Sequence, residues 1–284
     1  MTGTLLCFGL GYSAEVLAGR LAARGWTIRG TRRDESSCSR LRSLGYEMHA
    51  YDGSAPVPAP CLDGVTHVLT SVPPTAAGDP VLADHAESLS ACESLAWVGV
   101  LGSTAVYGDA GGAWVDESSP TQPTSVRGER RLAAERAWLE SGLPVHLFRL
   151  AGIYGPGRSA LDRLRGGMTH RVVKEGHVFS RIHVADIANV VEASIKRPRP
   201  GGIYNVADDE PAAFDVVLVH AAELLGVPAP PALPYEEADL SEMARSFYRD
   251  HKRVANVRIR EELGVELAYP TYREGLLALL RSVS

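Results

Sequence analysis

The 284-residue chain is short of several things, and each shortage narrows what it can be. No apolar run approaches the ~20 residues that a bilayer-spanning helix needs, so no membrane partner is expected. Cysteine is sparse: Cys7, Cys38, Cys61 and Cys92 sit far apart, with no CxxC pair and no histidine cluster nearby. That spacing argues against a zinc site and against a disulfide framework. It fits reduced thiols in a cytoplasmic protein. There is no basic stripe. Lys and Arg total 29 against 34 Asp and Glu, the net charge is -5, and the basic residues are scattered. A nucleic-acid or membrane-surface binder would concentrate them. Lysine is scarce beside arginine, which reads as compositional bias. No internal repeat is found, and the proline-rich stretch PAPPALP (228–234) is too short to link independent domains. The apolar start MTGTLLCFGLG lacks a basic n-region and a cleavage site, so it reads as a first strand and not as a signal peptide.

What is present is a 45% hydrophobic, 22% charged chain, long enough for a large core or a core plus a smaller lobe. Strands and helices alternate through its first half. Strands are expected at Thr4–Phe8, Trp26–Gly30, Glu47–Tyr51, Val65–Val72, Trp97–Leu101 and Val145–Ala151. Helices are expected at Ala14–Arg24, Ser36–Leu44, Asp79–Leu95 and Glu129–Ser141. That alternation implies an α/β fold, a parallel sheet with helices on both faces and its ligand beyond the carboxyl ends of the strands. The second half is less regular. It carries helical patterns at Arg158–Arg165, Asp186–Lys196, Phe214–Leu225, Ile259–Leu263 and Thr271–Ser282, and a short strand at Ile203–Val206. Asp186 is expected to cap the second of these helices.

The stretch GLGYSA (9–14) fits G-x-G-x-x-A between a strand and a helix. Gly9 permits the tight turn, Gly11 lets backbone approach a pyrophosphate, and Ala14 is small enough for helix–strand contact. Tyr12 and Ser13 complete the turn, and the helix start would face the phosphates. The second strand ends GTRRD (30–34), where an NAD site usually carries an acid for the ribose hydroxyls. Thr31, Arg32 and Arg33 stand there instead. A guanidinium pairs with the 2′-phosphate of NADP, so NADP is the expected cofactor and NAD the alternative. Asp34 lies late for ribose contact. Asp52 reads either as an adenine contact or as a turn residue in Asp52-Gly53-Ser54. Ser71, after the fourth strand, completes the expected cofactor set.

GLGYSA, LGSTAVYG (101–108), FRLAGIYGPGR (148–158) and RIHVADIA (181–188), in this order over nearly the whole chain, resemble the extended short-chain dehydrogenase/reductases of the NAD-dependent epimerase/dehydratase type. The resemblance implies a Rossmann-type doubly wound parallel sheet over 1–156, with 178–207 returning to it. It implies a smaller C-terminal α/β substrate lobe from 157–177 and 208–284. It also implies a homodimer and a small polar substrate, with a nucleotide-sugar among the candidates. Ser103, four residues before Tyr107, takes the family's serine/threonine position. The family's acid/base pair, Tyr-x-x-x-Lys, is missing. In that register Arg127 replaces the tyrosine and Arg131 the lysine, and Phe8 stands where the fingerprint's first glycine belongs, which marks an atypical member.

The two replacements differ chemically. Arg131 keeps a charge and donors for the nicotinamide ribose. Arg127 cannot serve as acid/base, because a guanidinium stays protonated above about pH 12 whereas a phenol near pKa ~10 can be tuned. It can orient an anionic substrate or steady an oxyanion. A plainer role is a salt-bridged helix face formed by Arg127, Arg131 and Glu135 at i, i+4, i+8. The proton must then come from elsewhere, with Tyr107, Tyr154 and His183 as candidates, and Arg158 is a candidate contact for an anion. Two functions remain open: an NADP-dependent oxidoreductase or epimerase/dehydratase-like enzyme, or a non-catalytic NADP(H)-binding sensor.

Overall fold

The computed structural model describes residues 2–282. Strand β1 (Thr4–Phe8) leads into helix α1 (Tyr12–Ala22), β2 (Thr27–Arg32) into α2 (Glu35–Arg42), and β3 (Glu47–Ala50) through a 3-10 turn into β4 (His67–Thr70). Next come α3 (Pro80–Ser90), β5 (Trp97–Leu101), a 3-10 turn at Thr104–Tyr107, β6 (Trp114–Val115), α4 (Val126–Glu140) and β7 (Val145–Leu150). The chain continues with β8 (Gly152–Tyr154), α5 (Ala160–Arg165), β9 (Arg171–Val173), β10 (Arg181–His183), α6 (Val184–Lys196) and β11 (Ile203–Val206). It ends with α7 (Phe214–Leu225), β12 (Ala232–Pro234), α8 (Glu242–Arg249), β13 (Arg253–Val254), α9 (Val257–Glu261) and α10 (Tyr272–Arg281).

Seven strands make one sheet in the order β11-β7-β5-β4-β1-β2-β3. β1 runs parallel to both β2 and β4, β2 to β3, β4 to β5, and β5 to β7. The chain therefore starts in the middle, moves outward through β2 and β3, and returns to β4 on the other side of β1. That reversal opens a crevice at the carboxyl ends of β1 and β4. The expected α/β, Rossmann-type parallel sheet is present.

Two compact units divide the chain. The first holds the stretch up to Ser103 with Glu129–Arg149 and Ala188–Tyr204; the second holds Thr104–Gly128, Leu150–Ile187 and the stretch from Asn205 on. Relative to the sequence reading, the second unit takes in 104–128, 150–156, 178–187 and 205–207. The core of the first unit packs Leu6 and Phe8 of β1, Val68 of β4, Val98 and Val100 of β5 and Leu147 of β7 with Val81, Leu89 and Trp138 from α3 and α4. Each such side chain, fully buried, contributes about 1.5–3 kcal/mol. The core of the second unit joins Tyr154, Leu161, Leu218, Tyr272 and Leu276 from β8, α5, α7 and α10. Its sheets are two-stranded: β8 with β10, β9 with β12, and β6 with β13.

Asp186 departs from expectation. α6 begins at Val184, so Asp186 lies inside the first turn, and its carboxylate accepts the N–H groups of Ala268 and Tyr269 at 2.8 and 2.9 Å. From inside that turn it ties down a later loop.

Candidate functional site

The first unit builds a backbone cradle at the end of β1. Gly9 has φ +78°, which favours glycine, and a Cβ there would come within 2.8 Å of Ser71 Oγ. Hydroxyls from the strands on either side hold it. The Gly9 N–H donates to Thr31 Oγ1 at 2.9 Å, and the Gly9 carbonyl accepts from Ser71 Oγ at 2.5 Å. Thr31 is 1% exposed, so this bracing is the role its buried hydroxyl has. Gly30 has a quieter part: a Cβ there would lie 2.5 Å from Leu10 Cδ1, so its bareness seats Leu10. Around Gly11 the space is open, since a Cβ would find only the Gly9 carbonyl at 3.8 Å and Arg32 Nη1 at 4.0 Å. α1 starts at Tyr12 with no side-chain cap, while Tyr12 and Ser13 are half-buried and Ala14 is buried. The uncapped helix start carries partial positive charge beside an open space. These features fit a pyrophosphate.

The end of β2 adds charge to the cradle. Arg32 is half-buried and Arg33 exposed. Arg32 Nη2 is paired with Glu15 Oε1 from the first turn of α1, and Arg40 of α2 donates to Glu15 Oε2 at 2.6 Å. The buried Nε of Arg32 has no hydrogen-bond partner. Asp34 faces another way. It caps α2, accepting from Ser37 N at 2.8 Å, Ser37 Oγ at 3.0 Å and Ser36 Oγ at 2.6 Å. These bonds hold its carboxyl down at about 2, the Ser36 hydroxyl contributing most. Asp52 is exposed and accepts the Ser54 N–H at 2.9 Å, in the turn that its sequence suggests. Neither Glu15 nor Arg40 stands out in the sequence; the one available signal is an acid in the first turn of the motif's own helix.

The first unit also holds Ser103, half-buried after β5, and Arg131 on α4. Arg131 Nη1 donates to the Leu101 carbonyl at 3.1 Å, at the end of β5. One turn further on, Glu135 is 3% exposed and binds Arg149 of β7 through contacts of 3.0 and 3.1 Å. Burial pushes the Glu135 carboxyl up, and the charges of Arg149 and Arg131 pull it part of the way back. The expected surface ladder of Arg127, Arg131 and Glu135 is thus corrected at its last rung, where the acid turns inward to a strand. Arg149, a charge inside the fully buried strand VHLFRL, was the sequence signal for that partner.

The remaining candidates belong to the second unit. Arg127 is exposed in the first turn of α4. Gly128 beside it makes room for the 3-10 turn, since a Cβ would lie 3.0 Å from the Ala105 carbonyl. Tyr107 is 3% exposed, and its hydroxyl donates to Asn205 Oδ1 at 2.7 Å. Tyr154 is 8% exposed, with its hydroxyl on the Thr271 carbonyl at 3.4 Å and its ring edge-on to His183. Burial pushes its phenol far up from the ordinary tyrosine value. A Cβ at Gly275 would sit 2.0 Å from Tyr154 Oη, so α10 is shaped to receive this ring. His183 is 4% exposed and its Nδ1 accepts the Ala185 N–H at 3.2 Å; Arg158 is exposed.

This unit also buries an acid. Asp208 is 1% exposed, and neither carboxylate oxygen meets a donor at full hydrogen-bond geometry. Burial raises its carboxyl to about 8, against the pull of Arg181 and of the Glu210 N–H. Among the described residues no group of three His, Cys, Asp or Glu is arranged to hold a metal, and no helix is long and apolar enough to cross a membrane.

No family model matches the chain. A solved structure from Silicibacter pomeroyi DSS, described as a functionally unknown conserved protein, is 52% identical over 99% of both chains with a TM-score of 0.93. A structure provisionally described as an NAD-dependent epimerase/dehydratase, from Methylobacillus flagellatus, is 25% identical over 99% of this chain and 98% of its own, with a TM-score of 0.74. Among curated proteins, Protein YeeZ of Escherichia coli K12 is 28% identical over 279 residues, 92% of this chain and 94% of its own. The 3-diazoavenalumate denitrifying reductase of a Streptomyces species is 33% identical over 177 residues, 57% of this chain and 55% of its own. With a glycine turn opening α1, a doubly wound sheet and these relatives, the chain is similar to the extended short-chain dehydrogenase/reductases of the NAD-dependent epimerase/dehydratase type.

Proposed function

We propose that this chain is an NADP-preferring oxidoreductase that acts on a polar hydroxyl or carbonyl substrate without the usual Tyr-x-x-x-Lys pair. One observation carries the cofactor choice. The guanidinium of Arg32 lies beside Gly11 with a buried Nε unpartnered, while the nearby acid, Asp34, is spent on capping α2. A 2′-phosphate suits that arrangement better than a bare ribose hydroxyl, because a guanidinium gives an oxyanion paired, charge-assisted bonds.

In this reading Gly9, Gly11 and the first amides of α1 hold the pyrophosphate, with Tyr12, Ser13 and Ala14 shaping the turn. Arg32 and Arg33 take the 2′-phosphate, and Thr31 and Ser71 act through Gly9. Asp52 lies at the adenine end. Arg131 holds the nicotinamide ribose. The bound nicotinamide supplies or accepts the hydride. Ser103 hydrogen-bonds the substrate oxygen. Reduction of a carbonyl needs one hydride and one proton, and Arg127 cannot provide the proton, so that proton reaches the oxygen through Ser103 or water. The 33% identical reductase supports the reductive direction. A nucleotide-sugar stays within the substrate class, and the family resemblance favours a homodimer in the cytoplasm.

A second reading, a non-catalytic NADP(H) sensor, is favoured by one feature. Arginines fill both positions of the acid/base pair, and the hydroxyls of Tyr107 and Tyr154 are bonded within the second unit. Calorimetry with NADPH and NADH, followed by a turnover screen over carbonyls and nucleotide-sugars, separates the readings. NADPH should bind more tightly, and Arg32→Ala should weaken it about 10- to 100-fold, the worth of one charge-assisted bond. Equal affinities for the two cofactors would sink the cofactor choice. A complete absence of hydride transfer would favour the sensor.

A further inference from the structure

Arg32 is not alone at the end of β2. Glu15 from α1, Arg32 from β2 and Arg40 from α2 form one cluster in which a single carboxylate bridges two guanidiniums. Glu15 and Arg32 have side-chain exposures of 26% and 28%, and Arg40 one of 60%. Two cations against one anion leave the cluster with one unit of net positive charge, and Arg33 stands exposed next to it. Arg32 presents one edge to Glu15. Its Nη1 lies toward the open space at Gly11, and its Nε is buried without a partner. A carboxylate and a phosphate bind guanidinium by the same geometry, two oxygens against two N–H groups. A phosphate monoester carries close to two negative charges near pH 7, against one for Glu15.

We propose that Glu15 is an internal counter-ion occupying the 2′-phosphate seat, that Arg40 is the second arm of that seat, and that NADP binds by taking both arginines from Glu15. The inference rests on the NADP-preferring reading above. In the free protein Glu15 holds the two arginines together from three separate elements. When the phosphate arrives, the carboxylate sits close to a like charge and gives up its bonds. Glu15 therefore limits affinity for the phosphorylated cofactor and leaves the unphosphorylated one unaffected. It sets how far the site discriminates, whereas Arg32 sets the direction of the preference.

The test is calorimetry on the full chain with four probes: NADPH, NADH, 2′,5′-ADP and 5′-ADP. The last two carry no nicotinamide, so they isolate this end of the site. Glu15→Gln keeps shape and removes charge. It should tighten NADPH and 2′,5′-ADP about 3- to 10-fold and leave NADH and 5′-ADP within twofold. Arg40→Gln, at an exposed position where folding is not at stake, should weaken only the two phosphorylated probes, and should do so more strongly when combined with Glu15→Gln. If the unaltered protein favours the phosphorylated probes but Glu15→Gln leaves NADPH unchanged or weaker, this inference falls and the cofactor reading stands. If Glu15→Gln instead weakens NADH alone, Glu15 is an acceptor for the ribose hydroxyl and the competition is overturned. If the unaltered protein binds all four probes without regard to the phosphate, both readings fall together.

Discussion

In the first unit the hydroxyls of Thr31 and Ser71 are spent on the backbone of Gly9. What this leaves facing the open space is a helix start and the edge of a guanidinium. In the second unit the hydroxyls of Tyr107 and Tyr154 are spent on Asn205 and on the Thr271 carbonyl, within their own unit. The same kind of bond prepares a surface for a ligand in one place and stabilises an interior in the other. Buried acids divide the same way. Glu135 and Arg149 of the first unit are in contact at 3.0 Å, whereas Asp208 of the second unit reaches no donor at full geometry. A polar group is a candidate for chemistry only when its bonding capacity is left over, and residue type alone does not reveal that.

The largest expected effect probes the buried acids. Asp208 has a folded-state value of about 8, above the unfolded value near 4. Between these the native state holds a proton that the unfolded state has released. The contribution of this one carboxyl to stability is therefore fully present below about pH 4 and is lost, by a few kcal/mol in order of magnitude, as pH rises to about 8. Urea denaturation at fixed pH values should show this fall, and Asp208→Asn should flatten it; an equally steep slope in the variant would remove Asp208 as the cause. Next in size, Glu135→Ala should cost about 3–5 kcal/mol, because it strands Arg149 in a buried strand. A loss under about 1 kcal/mol would mean that the contacting pair is no more important than a surface one. Smaller again, Tyr107→Phe should cost about 1 kcal/mol, one net hydrogen bond. It should leave any hydride-transfer rate unaltered, and a rate collapse at unchanged stability would return the phenol to the chemistry. Smallest of all, Arg127→Ala should change neither stability nor any limb of a pH–rate profile, since the side chain is exposed in the first turn of α4.

The sequence was most readable where long apolar runs stop at glycine or proline. Thr4–Phe8, Trp97–Leu101 and Phe214–Leu225 are found at the residues expected, as is the short strand Ile203–Val206 after its glycine pair. The two- and three-residue strands of the second unit, such as Arg253–Val254, were not readable, because pairing over so short a span depends on the partner and not on any local pattern. The glycine turn could be read because backbone makes it, and backbone geometry leaves a mark in residue type. Asp186 and Glu135 were misplaced because their partners, at 268–269 and 149, lie far off in the chain. The absence of a Tyr-x-x-x-Lys pair from α4 is a matter of sequence alone. No lysine precedes Lys174, so no register of α4 could supply one.

Neighbouring residues on a strand project to opposite faces, and β2 turns this alternation into a division of labour. Thr31 points into the protein and fastens the loop, while Arg32 points away from it toward Glu15. If Arg32 selects the nucleotide as proposed above, architecture and nucleotide choice occupy adjacent codons without sharing a surface. A descendant of this chain, or an engineer, could then exchange one nucleotide for another at position 32 while the latch at position 31 stays closed.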